Sequence, residues 1–214
     1  MSHEPAIASL AEAKPAGRRA TNKADKLRRI TLAARELFTE KGFDGTTLRD
    51  IAARAEVGFG TLFDYTSNKR DLLFLLFNPE LESVLDESIA GAEVEPLAID
   101  KLMALFGGYY AMFSRNRVLA RAVMRELTFF SEGVEARKFL AHRIRFLQCV
   151  TAVIDRAIEA GELRTAKPKH VTQIIFAIYV WEVRRWLSSE AGSVARGLSD
   201  LRELLALQLD GFAR

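Results

Sequence analysis

Thr46, Thr47 and Arg49 crowd together in the N-terminal third of the chain, and Gly58, Gly60 and Thr61 follow shortly after. These residue types suit non-covalent recognition of an anion rather than bond making. Hydroxyls and a guanidinium at a helix start sit where free backbone N–H groups and the helix dipole favour negative charge. Glycines at the start of the next helix keep it slender enough to enter a major groove. Phe63 and Tyr65 add aromatic edges, and Lys69 stands where another helix opens; all three suit contact with a phosphate backbone.

The chemistry of catalysis is not spelled out anywhere along the chain. There is no phosphate-cradling loop of the Walker type, no complete Gly-x-Gly-x-x-Gly, no Gly-x-Ser-x-Gly and no His/Cys metal spacing. A di-iron bundle needs Glu-x-x-His pairs, and none of His3, His142 and His170 has Glu three places before it. No enzyme, metal or cofactor is expected. The lone Cys149 excludes an intrachain disulfide, and its apolar helical neighbourhood marks it as a small core residue.

Charge supports an anionic partner. Residues 1–78 hold 13 of the 31 basic and 10 of the 28 acidic side chains, so they carry the whole net charge of +3. The excess concentrates between Arg18 and Arg29, where Lys26 and Arg28 belong to a basic arm that would add phosphate contacts. The longest strongly apolar run, Ile174 to Trp181, is too short to span a bilayer. With no apolar leader after Met1, the expectation is a cytoplasmic protein that does not contact membrane.

The elements that must position these residues follow from periodicity. Residues 1–22 read as a flexible basic tail. From Ala24 the steps Leu27, Ile30, Ala34, Leu37 and Phe38 predict a helix ending at Gly42. Thr47-Leu48-Arg49-Asp50 has the form of a capping box and opens a short helix that stops near Glu56. Val57-Gly58 turns the chain, Gly60 to Tyr65 can form another short helix, and Asn68 caps a longer one. Two short helices joined by a tight turn, with a helix before and after, make a helix-turn-helix at about 47–66. The remainder predicts long helices at about 69–89, 97–114, 117–130, 134–160, 169–188 and 194–212. The fold class is therefore all-α, with a three-helix head over 23–70 and a helical bundle over 71–214.

Residues 27–76, LRRITLAARELFTEKGFDGTTLRDIAARAEVGFGTLFDYTSNKRDLLFLL, resemble the DNA-binding domain of the TetR family. The likeness is carried by Ala33-Ala34, Leu37-Phe38, Gly42-Phe43, Thr46-Thr47 and Ile51-Ala52. Val57, Gly60-Thr61-Leu62, and Lys69 with Leu72-Leu73 complete it. The sequence departs from the family where Gly58 replaces a frequent Ser, Phe63 a frequent Tyr and Thr66 a usual aromatic, and where Asp64 stands in place of a basic or aromatic residue.

The resemblance implies an Ω-shaped homodimer of about nine helices per subunit that binds double-stranded operator DNA and a small-molecule effector. Repression is the family's usual mode. It also implies a recognition helix at about Gly58–Tyr65, with Phe59, Gly60 and Asp64 facing base edges. Thr47, Thr61, Phe63, Tyr65 and Lys69 would then lie on phosphates.

In the C-terminal part, aromatic and polar residues suggest a pocket for a hydrophobic or amphipathic effector, formed by Tyr109, Tyr110, Phe113, Met124, Leu127, His142, Phe146 and Glu182. The helix at 169–188 is apolar nearly all round and so must be buried on more than one side. Ile174, Ile178, Trp181, Trp186, Leu198, Leu201 and Leu205 are the expected seam of a twofold dimer, the alternative being an internal bundle core. A protein-binding adaptor that uses the head only for packing is the rival reading. Salt-dependent binding to duplex DNA separates the two.

Overall fold

The computed structural model describes residues 17–126, 132–164, 167–189 and 192–211, and every regular element among them is a helix. In chain order these are α1 (Arg18–Lys41), α2 (Leu48–Arg54), α3 (Phe59–Leu62), α4 (Lys69–Glu93), α5 (Ala98–Arg115), α6 (Arg117–Glu126), α7 (Val134–Glu159), α8 (Pro168–Ser188) and α9 (Val194–Asp210). α1 starts at Arg18, so residues 18–22, read from the sequence as tail, are helical. The expected tail otherwise lies outside the described residues.

The head closes on Ile30, Ala34, Leu37 and Phe38 of α1, Ile51 of α2, Leu62 of α3 and Leu72-Leu73 of α4, all buried. α1 ends at Gly42, whose φ of 73° and ψ of 167° lie in a region open to glycine but not to side-chain-bearing residues. α2 opens on a complete capping box: Thr47 Oγ1 accepts from the Asp50 N–H at 3.1 Å, and the Asp50 carboxylate accepts from the Thr47 N–H at 3.0 Å. At the start of α4 the pattern is only half realised. Asn68 accepts from the Asp71 N–H at 2.9 Å, but the Asp71 carboxylate turns away to the first turn of α7.

α4 runs out of the head and packs along α5 and α7. α9 packs on α5 and α8, α8 also packs on α7, and α6 bridges the head and the bundle through α1, α5 and α8. The bundle core is aromatic: Phe106 stacks on Tyr179 at 4.4 Å between ring centroids, and Tyr110 packs against Trp186 at 4.8 Å.

Three residues expected at a dimer seam lie inside this core instead. Leu201 and Leu205 are fully buried, and Trp186 is nearly so. The Trp186 indole N–H donates to the carbonyls of Gly192 and Ser193, both at 3.0 Å, and the Arg117 guanidinium lies 4.4 Å from the ring. The reason is geometric. α8 and α9 are apolar on more than one side, and Leu201, Leu205 and Leu209 form the stripe that faces α5 and α8. Of the other expected seam residues, Leu198 and Ile178 are half-buried against the core, while Ile174 and Trp181 are exposed. Leu204 and Leu207 join them on the outside of α9.

Candidate functional site

The basic arm divides according to what each side chain meets. Lys26 is exposed. Arg28 is exposed and paired with Asp25 at 3.1 Å. Arg29 points inward, donating to the Ala55 carbonyl at 2.9 Å and the Glu56 carbonyl at 3.3 Å. It thereby pins the turn between α2 and α3. Within that turn Glu56 takes a left-handed φ of 53°, and Val57 N–H donates back to Ala52 at 3.0 Å. The Thr61 N–H closes on the Gly58 carbonyl at 2.9 Å to start α3.

α3 and its flanks present Gly58, Phe59, Gly60, Phe63 and Asp64 to the outside. Phe59 and Phe63 meet edge to face at 5.2 Å, and the Arg49 guanidinium of α2 lies 5.5 Å from the Phe59 ring. Thr61 and Tyr65 are half-buried, and the Tyr65 hydroxyl donates to the Lys23 carbonyl at 3.3 Å. Thr47 is exposed, but its hydroxyl is already engaged with Asp50. Those bonds, the Thr47 side chain first, hold the Asp50 carboxyl below its ordinary range.

Two residues expected at phosphates have internal partners in the structure. Thr46 is fully buried and its hydroxyl donates to the carbonyls of Leu37 at 3.0 Å and Gly42 at 2.8 Å. It seals the end of α1. Lys69 spends its ammonium on the carbonyls of Phe43 at 2.7 Å and Thr46 at 2.8 Å, lying 4.5 Å from the Phe43 ring. Backbone carbonyls in the turn after α1 can hold a cation that sequence position alone assigns to a phosphate.

Behind the head, a cavity of about 60 Å³ opens among α4 to α8. Tyr109 and Phe113 of α5, Met124 of α6, and His142 and Phe146 of α7 line it. Leu81 of α4, Phe139 and Arg143 of α7, and Phe176, Tyr179 and Val180 of α8 complete the wall. Phe139 stands three residues before His142 and Arg143 three before Phe146, about one helical turn in each case, which is the signal that could have found both.

Tyr110 and Glu182 do not line the cavity. Tyr110 is buried against Trp186, and Glu182 is buried in a pair with Arg185 at 2.6 Å. Leu127 lies outside the described residues. The cavity's hydrogen-bonding centre is a chain: the Tyr109 hydroxyl meets His142 Nε2 at 3.0 Å, and His142 Nδ1 meets Glu82 at 3.3 Å. Burial lowers the His142 pKa, against the pull of Glu82, and raises that of the Tyr109 phenol. Both are therefore neutral at pH 7.

The volume decides what this state can hold. Pockets for small molecules run to roughly 300–1,000 Å³. About 60 Å³ lies well below that range, so a ligand of that size must move the aromatic wall. That wall is mechanically tied to the head. Asp71, buried at the start of α4, accepts from the N–H groups of Glu135 at 2.8 Å and Ala136 at 3.1 Å, in the first turn of the helix that carries His142 and Phe146. Arg125, one residue from Met124 on α6, holds Asp44 of the head through two bonds of 2.8 and 2.9 Å. Neither tie was read from the sequence, where Asp71 passes for a purely local cap.

Comparison with known proteins agrees with this architecture. Residues 30–76 match the model of bacterial regulatory proteins of the tetR family, and residues 96–196 match the tetracyclin repressor-like C-terminal domain. The fatty acid metabolism regulator protein of Bacillus subtilis is 22% identical over 170 residues, covering 78% of this chain and 87% of that protein. The structure of FadR from B. subtilis in complex with stearoyl-CoA superposes with a TM-score of 0.69 at 22% identity, over 86% of this chain and 98% of that one. That of Thermus thermophilus FadR, in complex with lauroyl-CoA, gives 0.67 at 26% identity, over 86% and 94%. With matching family models in both its head and its bundle, the chain belongs to the TetR family of transcriptional regulators.

Proposed function

We propose that the protein is a homodimeric repressor that grips operator DNA through residues 23–70 and releases it when residues 71–214 bind a hydrophobic or amphipathic small molecule. Fatty acyl-CoA thioesters are the first class to test. The observation that carries this reading is the placement of the cavity: its aromatic wall stands on α4, α6 and α7, and both Asp71 and Arg125 link those helices to the head. An acyl chain fits walls of Phe, Tyr, Leu and Met. Arg143, exposed and lining the same cavity, suits the phosphates of an amphipathic ligand. The solved structures with stearoyl-CoA and lauroyl-CoA point the same way.

The dimer rests on the outer faces of α8 and α9, where Trp181 is 67% and Leu207 70% exposed, with Ile174 and Leu204 beside them. Ligand entry would shift the two heads away from the ~34–36 Å spacing of successive major grooves. The reading requires no catalytic step and places the protein in the cytoplasm. No described helix is long and apolar enough to cross a membrane.

The test is anisotropy titration of the full chain with duplex from upstream of its own gene, against scrambled duplex, at two salt concentrations, backed by selection from random duplexes. Selective, salt-sensitive binding by two or more subunits per site, released by lauroyl-CoA or stearoyl-CoA but not by free coenzyme A, is the expected result. Absence of selective binding in both formats overturns the regulator reading in favour of an adaptor. Selective binding that no acyl thioester disturbs overturns the ligand class alone.

A further inference from the structure

α3 carries a surface that the stability of the head does not require. Phe59 and Phe63, four residues apart and so on one face, are 42% and 48% exposed and touch each other at 5.2 Å. Single exposed apolar residues are ordinary, but a contiguous aromatic pair, one at the start of a four-residue helix and one at its C-cap, suits a contact surface. Glycines flank Phe59 on both sides without any need from the fold. A Cβ at Gly60 would meet nothing within 4 Å, and one at Gly58 would meet only Thr61 Oγ1, at an ordinary 3.5 Å. Their effect is external, leaving Phe59 standing clear between two bare stretches of backbone. The Arg49 guanidinium, 5.5 Å from the Phe59 ring, gives this surface a positive charge that complements a polyanion.

We propose that Phe59 and Phe63 read the C5-methyl groups of thymine in the major groove, so that each operator half-site carries thymine opposite α3. This rests on the DNA-binding reading above. A phenyl ring can neither donate to nor accept from the nitrogen and oxygen pattern of the base edges. Thymine alone offers an apolar group there. The bare backbone at Gly58 and Gly60 lets the ring approach that methyl without a neighbouring side chain striking the base edges first.

The test uses the duplex enriched by the selection above, synthesised with thymidine and again with deoxyuridine at every thymine, so that only methyl groups differ. Burying one methyl corresponds to about a fourfold change in affinity. One methyl per half-site in a symmetrical site therefore gives about a fifteenfold weakening of the full-length protein on the deoxyuridine duplex. The Phe59→Ala, Phe63→Ala double variant is expected to bind both duplexes within twofold of each other. Equal affinity of the wild-type protein for the two duplexes overturns the inference. So does a deoxyuridine penalty that persists undiminished in the double variant, because the methyl then acts through duplex shape. Neither result touches the DNA-binding reading, which falls, and this inference with it, only if no duplex is bound selectively.

Discussion

Replacing Asp71 with alanine tests the tie between the head and the bundle. The N-terminus of α7 has no side-chain cap of its own: its N-cap is Gly133, at φ 109°. The Asp71 carboxylate supplies the cap from another helix, accepting from Glu135 N–H at 2.8 Å and Ala136 N–H at 3.1 Å in a buried setting, and from Ser67 N–H at 3.2 Å nearer the surface. Each buried donor left without a partner costs about 1–3 kcal/mol. Water entering the vacated space recovers part of this, so a loss of about 3 kcal/mol is expected for Asp71→Ala. At about 2–4 °C per kcal/mol for a chain of this size, the melting temperature should fall by roughly 6–12 °C.

Asp71→Asn keeps the shape but presents a donor to either Ser67 or the α7 turn, and should lose about half as much. The assay is thermal unfolding followed by circular dichroism at one fixed protein concentration, because association contributes to apparent stability. A second arm makes the geometry decisive. A Cβ at Gly133 would sit 2.2 Å from Asp71 Oδ1. Gly133→Ala should therefore destabilise the wild type strongly, and the Asp71→Ala background much less, since the clash is gone and only the backbone strain remains. Strict additivity of the two changes, or a loss below 1 kcal/mol for Asp71→Ala, would refute the claim that this carboxylate caps α7.

Lys69→Met should cost about 1.5–3 kcal/mol of stability, because the ammonium serves the Phe43 and Thr46 carbonyls. It should leave the salt dependence of DNA binding unchanged; a slope smaller by about one counterion in a titration across salt concentrations would restore the phosphate contact instead. Trp181→Asp combined with Leu207→Asp should yield a monomer in sedimentation equilibrium with its helicity intact, since both side chains are exposed; a dimer that persists would move the interface elsewhere. His142 carries a pKa lowered chiefly by burial and opposed by Glu82, with Arg145 and Asp86 as weaker neighbours. The unfolded chain therefore takes up a proton that the folded one resists. Its contribution is complete above about pH 6.5 and is lost as pH falls below that value. Urea titrations at pH 7.5 and 5.5 should show a smaller drop for His142→Gln than for the wild-type protein; equal drops would assign the pH dependence to other groups.

Much of the architecture was legible because it is local. The capping box at Thr47 and Asp50 closes within four residues, so its partners are covalent neighbours. The helices at 98–115, 134–159 and 168–188 follow from apolar spacing and from breaks at glycine and proline, and their ends fall within a residue or two of where those signals put them. The likeness over residues 27–76 fixed the family, and Tyr109, Phe113, Met124, His142 and Phe146 could be drawn together from the aromatic pattern of the bundle.

Only the tertiary structure decided which side of an apolar helix faces inward, and which cation or carboxylate is spent internally. Trp186 and Trp181 lie on the same helix, yet one is sealed by Gly192, Ser193 and Arg117 and the other stands in the open. Lys69 reads as a phosphate contact and Asp71 as the acid of a local cap until the turn after α1 lies beside one and α7 begins beside the other. Periodicity records that a face is apolar, and a cap motif records that a helix starts. Neither records which distant backbone groups arrive unsatisfied, and in a folded chain those groups claim the nearest opposite charge.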